Sequence, residues 1–281
     1  MNKQSLLLRN KQSLLLRNKQ LFLSVIIPCY NEETNLKRGI LNEVDDYLES
    51  QDYQSEVIIS DDGSSDESPR IVEEFTKTHP RFKLLKNKHA GKPFAVRAGI
   101  KKASGEIVLF TDMDQSTPLN QIEKILPNFA RNKVLAKQGS YFKQGFDLVI
   151  GSRGKQRVGF SLFRQLASAI FRLTRQTILL KNIVDTQCGF KAFKNEVAKD
   201  LFSRLQIFKE TKETRGWRVG AFDVELLFIA QKQGYRIAEV LVEWQDKDIA
   251  QGKQRKFFKE SWEMLKEILR VKLSDLRGYY D

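Results

Sequence analysis

Two aspartates one residue apart, Asp112 and Asp114, close a short apolar run at Ile107–Thr111. That run is rich in β-branched and aromatic residues, which predicts a buried strand. Carboxylates at the C-terminal end of a parallel strand point into the crevice where open α/β sheets bind ligands. They are hard oxygen donors, too close together to stay unpaired cheaply. A Mg²⁺ or Mn²⁺ ion that also holds a substrate phosphate would resolve the repulsion. Gln115, Ser116 and Thr117 follow, and Pro118 sits where a helix would begin. The plainer alternative is a strand followed by a polar turn.

The surrounding chain alternates strand and helix patterns. Leu23–Ile27 predicts a strand. Pro28–Tyr30 then turns into a helix capped by Asn31, with Glu32 and Glu33 in its first turn, running to about Leu48. Glu56–Ser60 predicts a second strand, ending in the acidic turn Asp61–Asp66 before a helix near Ser68–Thr76. Phe82–Leu85 predicts a third strand and Gly91–Ala103 a helix. After the Ile107 strand come a helix at Leu119–Phe129, a basic polar stretch at Asn132–Gln144, and a strand at Phe146–Ile150 closed by Gly151, Ser152 and Arg153. Such alternation indicates a doubly wound, mostly parallel sheet whose polar strand ends share one rim.

Further on, Phe160–Leu180 has apolar residues at spacings of three and four, interrupted by Arg164, Arg172 and Arg175. It suits a core-facing helix and equally an interfacial helix whose arginines meet lipid phosphates. Asp185–Phe193 begins polar and then alternates like a strand; Asn195–Leu205 predicts a helix and Thr211–Arg218 a charged loop. Phe222–Gln233 predicts a helix with Asp223 and Glu225 near its start, Tyr235–Val242 a last strand, Gln245–Lys256 a basic segment, and Phe257–Leu273 an amphipathic helix. At the other end NKQSLLLR occurs twice in succession. The period is too short for a solenoid; it fits a duplicated tail or a small basic amphipathic anchor.

The net charge is +13 and the isoelectric point about 9.6. This favours an anionic partner: nucleic acid, an anionic membrane face or a phosphorylated substrate. No nucleic-acid recognition motif accompanies the charge. The two cysteines, Cys29 and Cys188, lack metal or CxxC spacing and predict reduced thiols of a cytoplasmic protein. The two histidines, His79 and His89, give little support to a His-ligated metal or a Ser-His-Asp triad. No run reaches the roughly 18 apolar residues that span a bilayer, so the chain is expected to be soluble or peripheral.

The ordered set PCYNEE, DDGSSD, TDMDQSTP, GSR, DTQCGFK and FDVELL resembles glycosyltransferase family 2, and within it the polyprenyl-phosphate (dolichyl-phosphate) β-glucosyltransferase and mannosyltransferase branch. The glucosyl side fits DTQCGFK and FDVELL better. The resemblance runs from about Leu23 to Leu265 and implies an α/β GT-A (Rossmann-like) fold. It also implies a nucleotide-sugar donor, a divalent metal (Mg²⁺ or Mn²⁺) and inversion at the anomeric carbon. It places Pro28, Tyr30, Glu32, Ile59 and Asp61 about the nucleoside, Asp112 and Asp114 on the metal, and Met113, Ser116, Lys92 and Arg97 with the donor. Arg153 would hold phosphate. Pro93 and Phe94 depart from the small residues of the family's GKG element. Ser116 stands where some mannosyl relatives carry a glutamine ligand. Lys253 and Arg255 fall near a family Gly-Ser-Lys element and are candidates for acceptor phosphate.

A polyprenyl monophosphate is largely dianionic near neutral pH, its second pKa being about 6, so its attack needs little help from a base. A sugar hydroxyl would need one, and Asp185, Asp223 and Glu225 are the available carboxylates. The expected activity is transfer of a hexose, with glucose from UDP-glucose foremost, onto a polyprenyl phosphate. The protein would work at the cytoplasmic face of a membrane, peripherally attached. The alternative is a saccharide, lipid or protein hydroxyl acceptor. The expected organisation is a tail at 1–22, a catalytic domain at 23–245, and a basic loop with a C-terminal amphipathic helix at 246–281.

Overall fold

A computed structural model describes residues 21–130, 132–136, 139–143, 145–154, 179–180, 182–209, 222–245, 247 and 257–281, with backbone only at 132–143 and 257–265. The N-terminal repeat, nearly all of the Phe160–Leu180 segment, the 211–218 loop, and Lys253 and Arg255 lie outside the described residues.

Strands β1 (Phe22–Cys29), β2 (Gln54–Asp61), β3 (Phe82–Lys86), β4 (Ile107–Phe110), β7 (Leu148–Ser152), β8 (Lys191–Lys194) and β9 (Ile237–Leu241) form one sheet in the order β3-β2-β1-β4-β8-β7-β9. The first four are mutually parallel, and β7 pairs parallel with β9. β8 alone runs the other way, antiparallel to both β4 and β7. This reversal matters for the site. The C-terminal ends of β1, β2, β4 and β7 share a rim, and β8 brings its beginning there, with Phe110 and Ile150 both in register with Lys191.

The middle of the sheet is covered on both faces, so β4 is apolar throughout and β1 nearly so, while the edge strands β3 and β9 are half-exposed. Successive side chains go to opposite sides. Val25 and Ile27 join one buried cluster with Val57, Ile59, Ile107 and Leu109, under helices α2 (Ile40–Glu49) and α3 (Ser68–Thr76). Ile26 faces the other cluster with Val108, Phe110, Ile150 and Phe193. There the sheet meets α4 (Lys92–Lys102), α6 (Asn195–Arg204), α7 (Phe222–Lys232) and α8 (Phe257–Leu276). Gly99 lets α4 lie directly on β1, since a Cβ there would run into Ile26.

Three elements differ from the sequence expectation. The first helix is broken into α1 (Glu33–Lys37) and α2, because Gly39 adopts φ 90° between them. Asn31 does not cap it: Glu32 holds the cap position, and Asn31, at φ 54°, accepts from Ser65 N at 2.9 Å. The Leu119–Phe129 segment is a 3₁₀ turn, a four-residue helix α5 (Ile122–Ile125) and a second 3₁₀ turn. The polar 132–144 stretch contains an antiparallel hairpin of β5 (Asn132–Ala136) and β6 (Gly139–Lys143). No helix among the described residues is long and apolar enough to cross a membrane.

Candidate active site

β4 ends at Phe110, and the chain turns at once through Thr111 to Gln115. Gln115 takes φ 48°, unusual for a side chain other than glycine. Its N and Nε2 both donate to the Asp112 carbonyl, at 3.2 and 2.8 Å. The turn alternates: Asp112 and Asp114 are half-buried at the rim, while Met113 is 2% exposed and packs into the core. The Met113 side chain therefore belongs to the core, which leaves its main chain for any donor contact. Asp114 Oδ1 accepts from Ser116 N at 2.8 Å. The Gln115 side chain is held by its nitrogen on its own turn, while its Oε1 is buried and accepts no hydrogen bond.

Asp112 forms an ion pair with Lys92, at the start of α4. Burial works against the Lys92 charge, but Asp112, Asp223 and Asp114 together outweigh it and raise its pKa. Behind Asp112 lies Gly189, at the bend before β8, where any Cβ would overlap the carboxylate. At the first position of β8, Lys191 is wholly buried, yet its Nζ reaches Asp223 Oδ1 at 2.7 Å and lies 5.3 Å from the Phe110 ring centroid. Asp223, in the first turn of α7, thus faces the same rim as Asp112. Two lysines are set among three aspartates there: Lys92 beside Asp112, with Asp223 and Asp114 also acting on its charge, and Lys191 beside Asp223.

On the other flank Arg153, after β7, donates through Nε and Nη2 to Asp185 at 2.7 and 2.9 Å. Asp185 is 4% exposed and also accepts from Arg153 N and Gln187 N. Its oxygens are committed, which argues against a general base. Arg153 in turn has one fork already occupied, leaving the Nη1 edge for a ligand. Burial opposes its charge, but Asp185 outweighs this and raises its pKa. The guanidinium also sits 5.5 Å from the Trp244 ring centroid.

The nucleoside candidates spread over the ends of β1 and β2. Tyr30 stacks on His89, with centroids 4.4 Å apart and planes at 18°. His89 Nδ1 contacts the fully buried Asp62 carboxylate at 2.9 Å. Asp62 also accepts from Ala90 N and Gly91 N, fixing the loop that delivers Lys92; burial raises its pKa against those bonds. Asp61 is 3% exposed and accepts from Gly63 N and Ser64 N, so its carboxylate braces its own turn. Glu32 accepts from Asn35 Nδ2 at 2.6 Å. Pro28 lies within β1, in register with Ser60. Ile59 is 0% exposed in the core beneath the rim and lines no slot.

Two further candidates lie elsewhere. Glu225 is wholly buried at the α7–α8 junction. It accepts from Gln206 N at 2.6 Å, Arg270 Nη2 at 2.6 Å and Tyr280 Oη at 2.9 Å, a structural anchor rather than a base. Arg97 lies with its guanidinium carbon 4.3 Å from the Phe208 ring centroid. Sequence reasoning missed Lys191, Gly189, His89 and Arg38. Arg38 links the Asp114 carbonyl (2.8 Å) to the Lys247 carbonyl (3.0 Å). Ser116 reinforces that strap, accepting from Gln245 N at its carbonyl and from Lys247 N at its hydroxyl. A lysine inside the apolar alternation of GFKAF was the one visible signal for Lys191.

No group of three or more His, Cys, Asp and Glu side chains assembles a metal site among the described residues. The two aspartates nevertheless suit a hard cation. They are neighbouring, half-buried oxygen donors, and Asp112 is paired with the Lys92 ammonium. Mg²⁺ and Mn²⁺ are commonly held by one or two carboxylates plus phosphate and water.

The sequence profile described as glycosyl transferase family 2 matches residues 24–202, which runs from β1 into α6 and includes Asp112, Asp114, Asp185 and Lys191 of the rim but not Asp223. The chain belongs to glycosyltransferase family 2. This family 2 enzyme is 33% identical over 271 residues to a dolichyl-phosphate beta-glucosyltransferase of Dictyostelium discoideum, covering 92% of this chain and 76% of that protein. It is 34% identical to the Homo sapiens protein of the same name, covering 91% and 76%. The glycosyltransferase shares its fold with glucosyl-3-phosphoglycerate synthase from Mycobacterium tuberculosis (TM-score 0.60, 17% identity, 94% and 82% covered). It is likewise similar to a Pyrobaculum calidifontis mannosyltransferase solved with GDP-Man and Mn²⁺ (TM-score 0.55, 19% identity, 97% and 71% covered). The fold is accordingly GT-A.

Proposed function

We propose that this glycosyltransferase moves glucose from UDP-glucose onto a dolichyl-type polyprenyl phosphate, with inversion, at the cytoplasmic face of a membrane to which it is peripherally bound. The observation that carries the reading is the one-third identity, over nine-tenths of the chain, to proteins named for that acceptor and sugar. Asp112 and Asp114 would hold Mg²⁺ or Mn²⁺ on the donor diphosphate. The ion would supply Lewis-acid stabilisation of the departing nucleoside diphosphate. Tyr30 offers an aromatic face to the base. Lys92 is near enough to Asp112 to exchange its partner for phosphate, and Arg153 presents Nη1 beside the exposed ring of Trp244.

An acceptor phosphate brings its own negative oxygen, so charge compensation and placement do most of the work. Asp223 is the remaining carboxylate at the rim, since Asp185 and Glu225 are committed elsewhere. Its position favours one second reading: a hydroxyl acceptor, with Asp223 taking the proton. Lys191 would hold that carboxylate in place under either reading.

The test is transfer of label from a panel of nucleotide sugars, with Mn²⁺ or Mg²⁺, to polyprenyl phosphate. Label is expected in the organic phase with UDP-glucose and is expected to vanish in Asp112→Ala and Asp114→Ala. Label that stays aqueous with every donor rejects the proposal. Transfer to polyprenyl phosphate that survives in Asp223→Asn excludes the base role.

A further inference from the structure

Over its described side chains, from residue 266 on, helix α8 carries one buried and one exposed apolar face. Ile268 and Val271 are wholly buried in the core cluster shared with α7, and Arg270 ties the helix to Glu225. On the opposite side Leu269, Leu273 and Leu276 are 49%, 52% and 72% exposed, and Tyr279 beyond them is 52% exposed. Spacings of four and three place the leucines on a stripe about 60° wide at roughly 100° per residue. A helix serving only as packing carries polar residues there. Three exposed leucines in consecutive turns form a contiguous patch, unlike scattered surface apolar residues.

The stripe is edged by positive charge. Lys266 and Lys272 lie about 60° to either side of it, and exposed Arg277 extends one edge. The acidic residues described in this part of the helix lie off the stripe, although Asp275 partly compensates one of its edges. Glu267 pairs with Arg270, and Asp275 pairs with Lys232 at 2.6 Å as well as with Lys272. Apolar centre, basic margins and acids held towards the body form the pattern of a helix lying in the headgroup region of an anionic bilayer. The net charge of +13 acts in the same direction.

We infer that the Leu269–Leu273–Leu276 face of α8 docks the protein onto anionic phospholipid. The inference rests on the peripheral attachment proposed above and deepens it, naming the surface of the C-terminal helix that makes the contact. It is tested with the full chain and vesicles that contain no polyprenyl phosphate, so its failure is separate from failure of the transfer reaction. Cosedimentation is measured with phosphatidylcholine vesicles, with and without phosphatidylglycerol, for the unaltered chain and for Leu269→Ser/Leu273→Ser/Leu276→Ser.

The unaltered chain is expected to bind anionic vesicles and to release them as salt rises. The triple variant is expected to bind at least about tenfold more weakly. Its melting temperature and its activity on a short, water-soluble prenyl phosphate should be unchanged, since the three side chains face outward. Absence of vesicle binding by the unaltered chain overturns the inference. So does equal binding by the variant, which would point to another anchor such as the N-terminal repeat. Loss of a dimer in the variant, without vesicle binding by either chain, would assign the face to a second copy and overturn it as well.

Discussion

Gly189 shows how tightly the carboxylate pair is seated. A methyl group there would occupy the space of Asp112 Oδ2, so the position of that carboxylate depends on an absent side chain. Gly189→Ala is expected to lower kcat/KM about 100-fold, the scale of a displacement of about an ångström in a positioned group, with little change in melting temperature. Steady-state kinetics beside a thermal melt checks this. Lys191 illustrates a different economy. A lysine buried without a partner would be very costly; with Asp223 at 2.7 Å it is tolerated and fixes a carboxylate in the rim. In the sequence both residues are part of DTQCGFK, but neither its glycine nor its lysine announces which acid it will meet.

At the scale of elements, the decisive feature is β8. Its reversed direction delivers Gly189 and Lys191 to a rim otherwise made from the ends of parallel strands. Helix α7 then contributes two acids with opposite fates, since Asp223 faces the rim and Glu225 faces α8. Residues two apart on a helix are about 200° apart around it, so one location for both was never available. Glu225→Gln is expected to destabilise the fold by about 3 kcal/mol, because Arg270 loses a buried partner. The kcat of the folded protein should be unchanged. Denaturant unfolding together with turnover measures both, and a collapse of kcat at normal stability would restore Glu225 as a base. The break at Gly39 and the 132–143 hairpin were not legible in the sequence. One depends on a positive φ, and the other on pairing between segments with no apolar alternation.

For the molecule as a whole, one carboxylate on the far side from the rim joins several segments. Glu56 accepts from Ser24 Oγ at 2.6 Å and Ser104 N at 2.8 Å, and pairs with Lys83 at 2.7 Å. Burial alone would raise its pKa, but Lys83, Ser104 and Ser24 outweigh this and hold it down to about 2, against an ordinary 4.5. An unfolded chain therefore binds the proton more readily than the folded one. The stabilisation is complete above 4.5 and is lost as pH falls towards about 2. Melting temperature is expected to drop across that interval, and Glu56→Gln should flatten the drop while lowering stability at neutral pH. An unchanged acid limb in the variant would remove Glu56 as its source. The outer face of α8 belongs to this scale too, because its described leucines, Leu269, Leu273 and Leu276, stay exposed in the folded chain.

Local pattern alone determined much of the architecture. Apolar runs bounded by Gly, Asp and Ser marked the strands that carry the site, and acid-rich ends put Asp61, Asp112 and Asp114 on one rim. Those features are set by residues a few positions apart, and period and turn chemistry report them directly. Only the tertiary structure decided the partners. Arg153 with Asp185, Lys191 with Asp223 and Glu225 with Arg270 are 32, 32 and 45 residues apart, and Ile59 and Met113 turned to the core instead of the cleft. A charged side chain records in sequence that it needs compensation, but the identity of its counter-charge follows from strand order and helix rotation, which only the packed chain fixes.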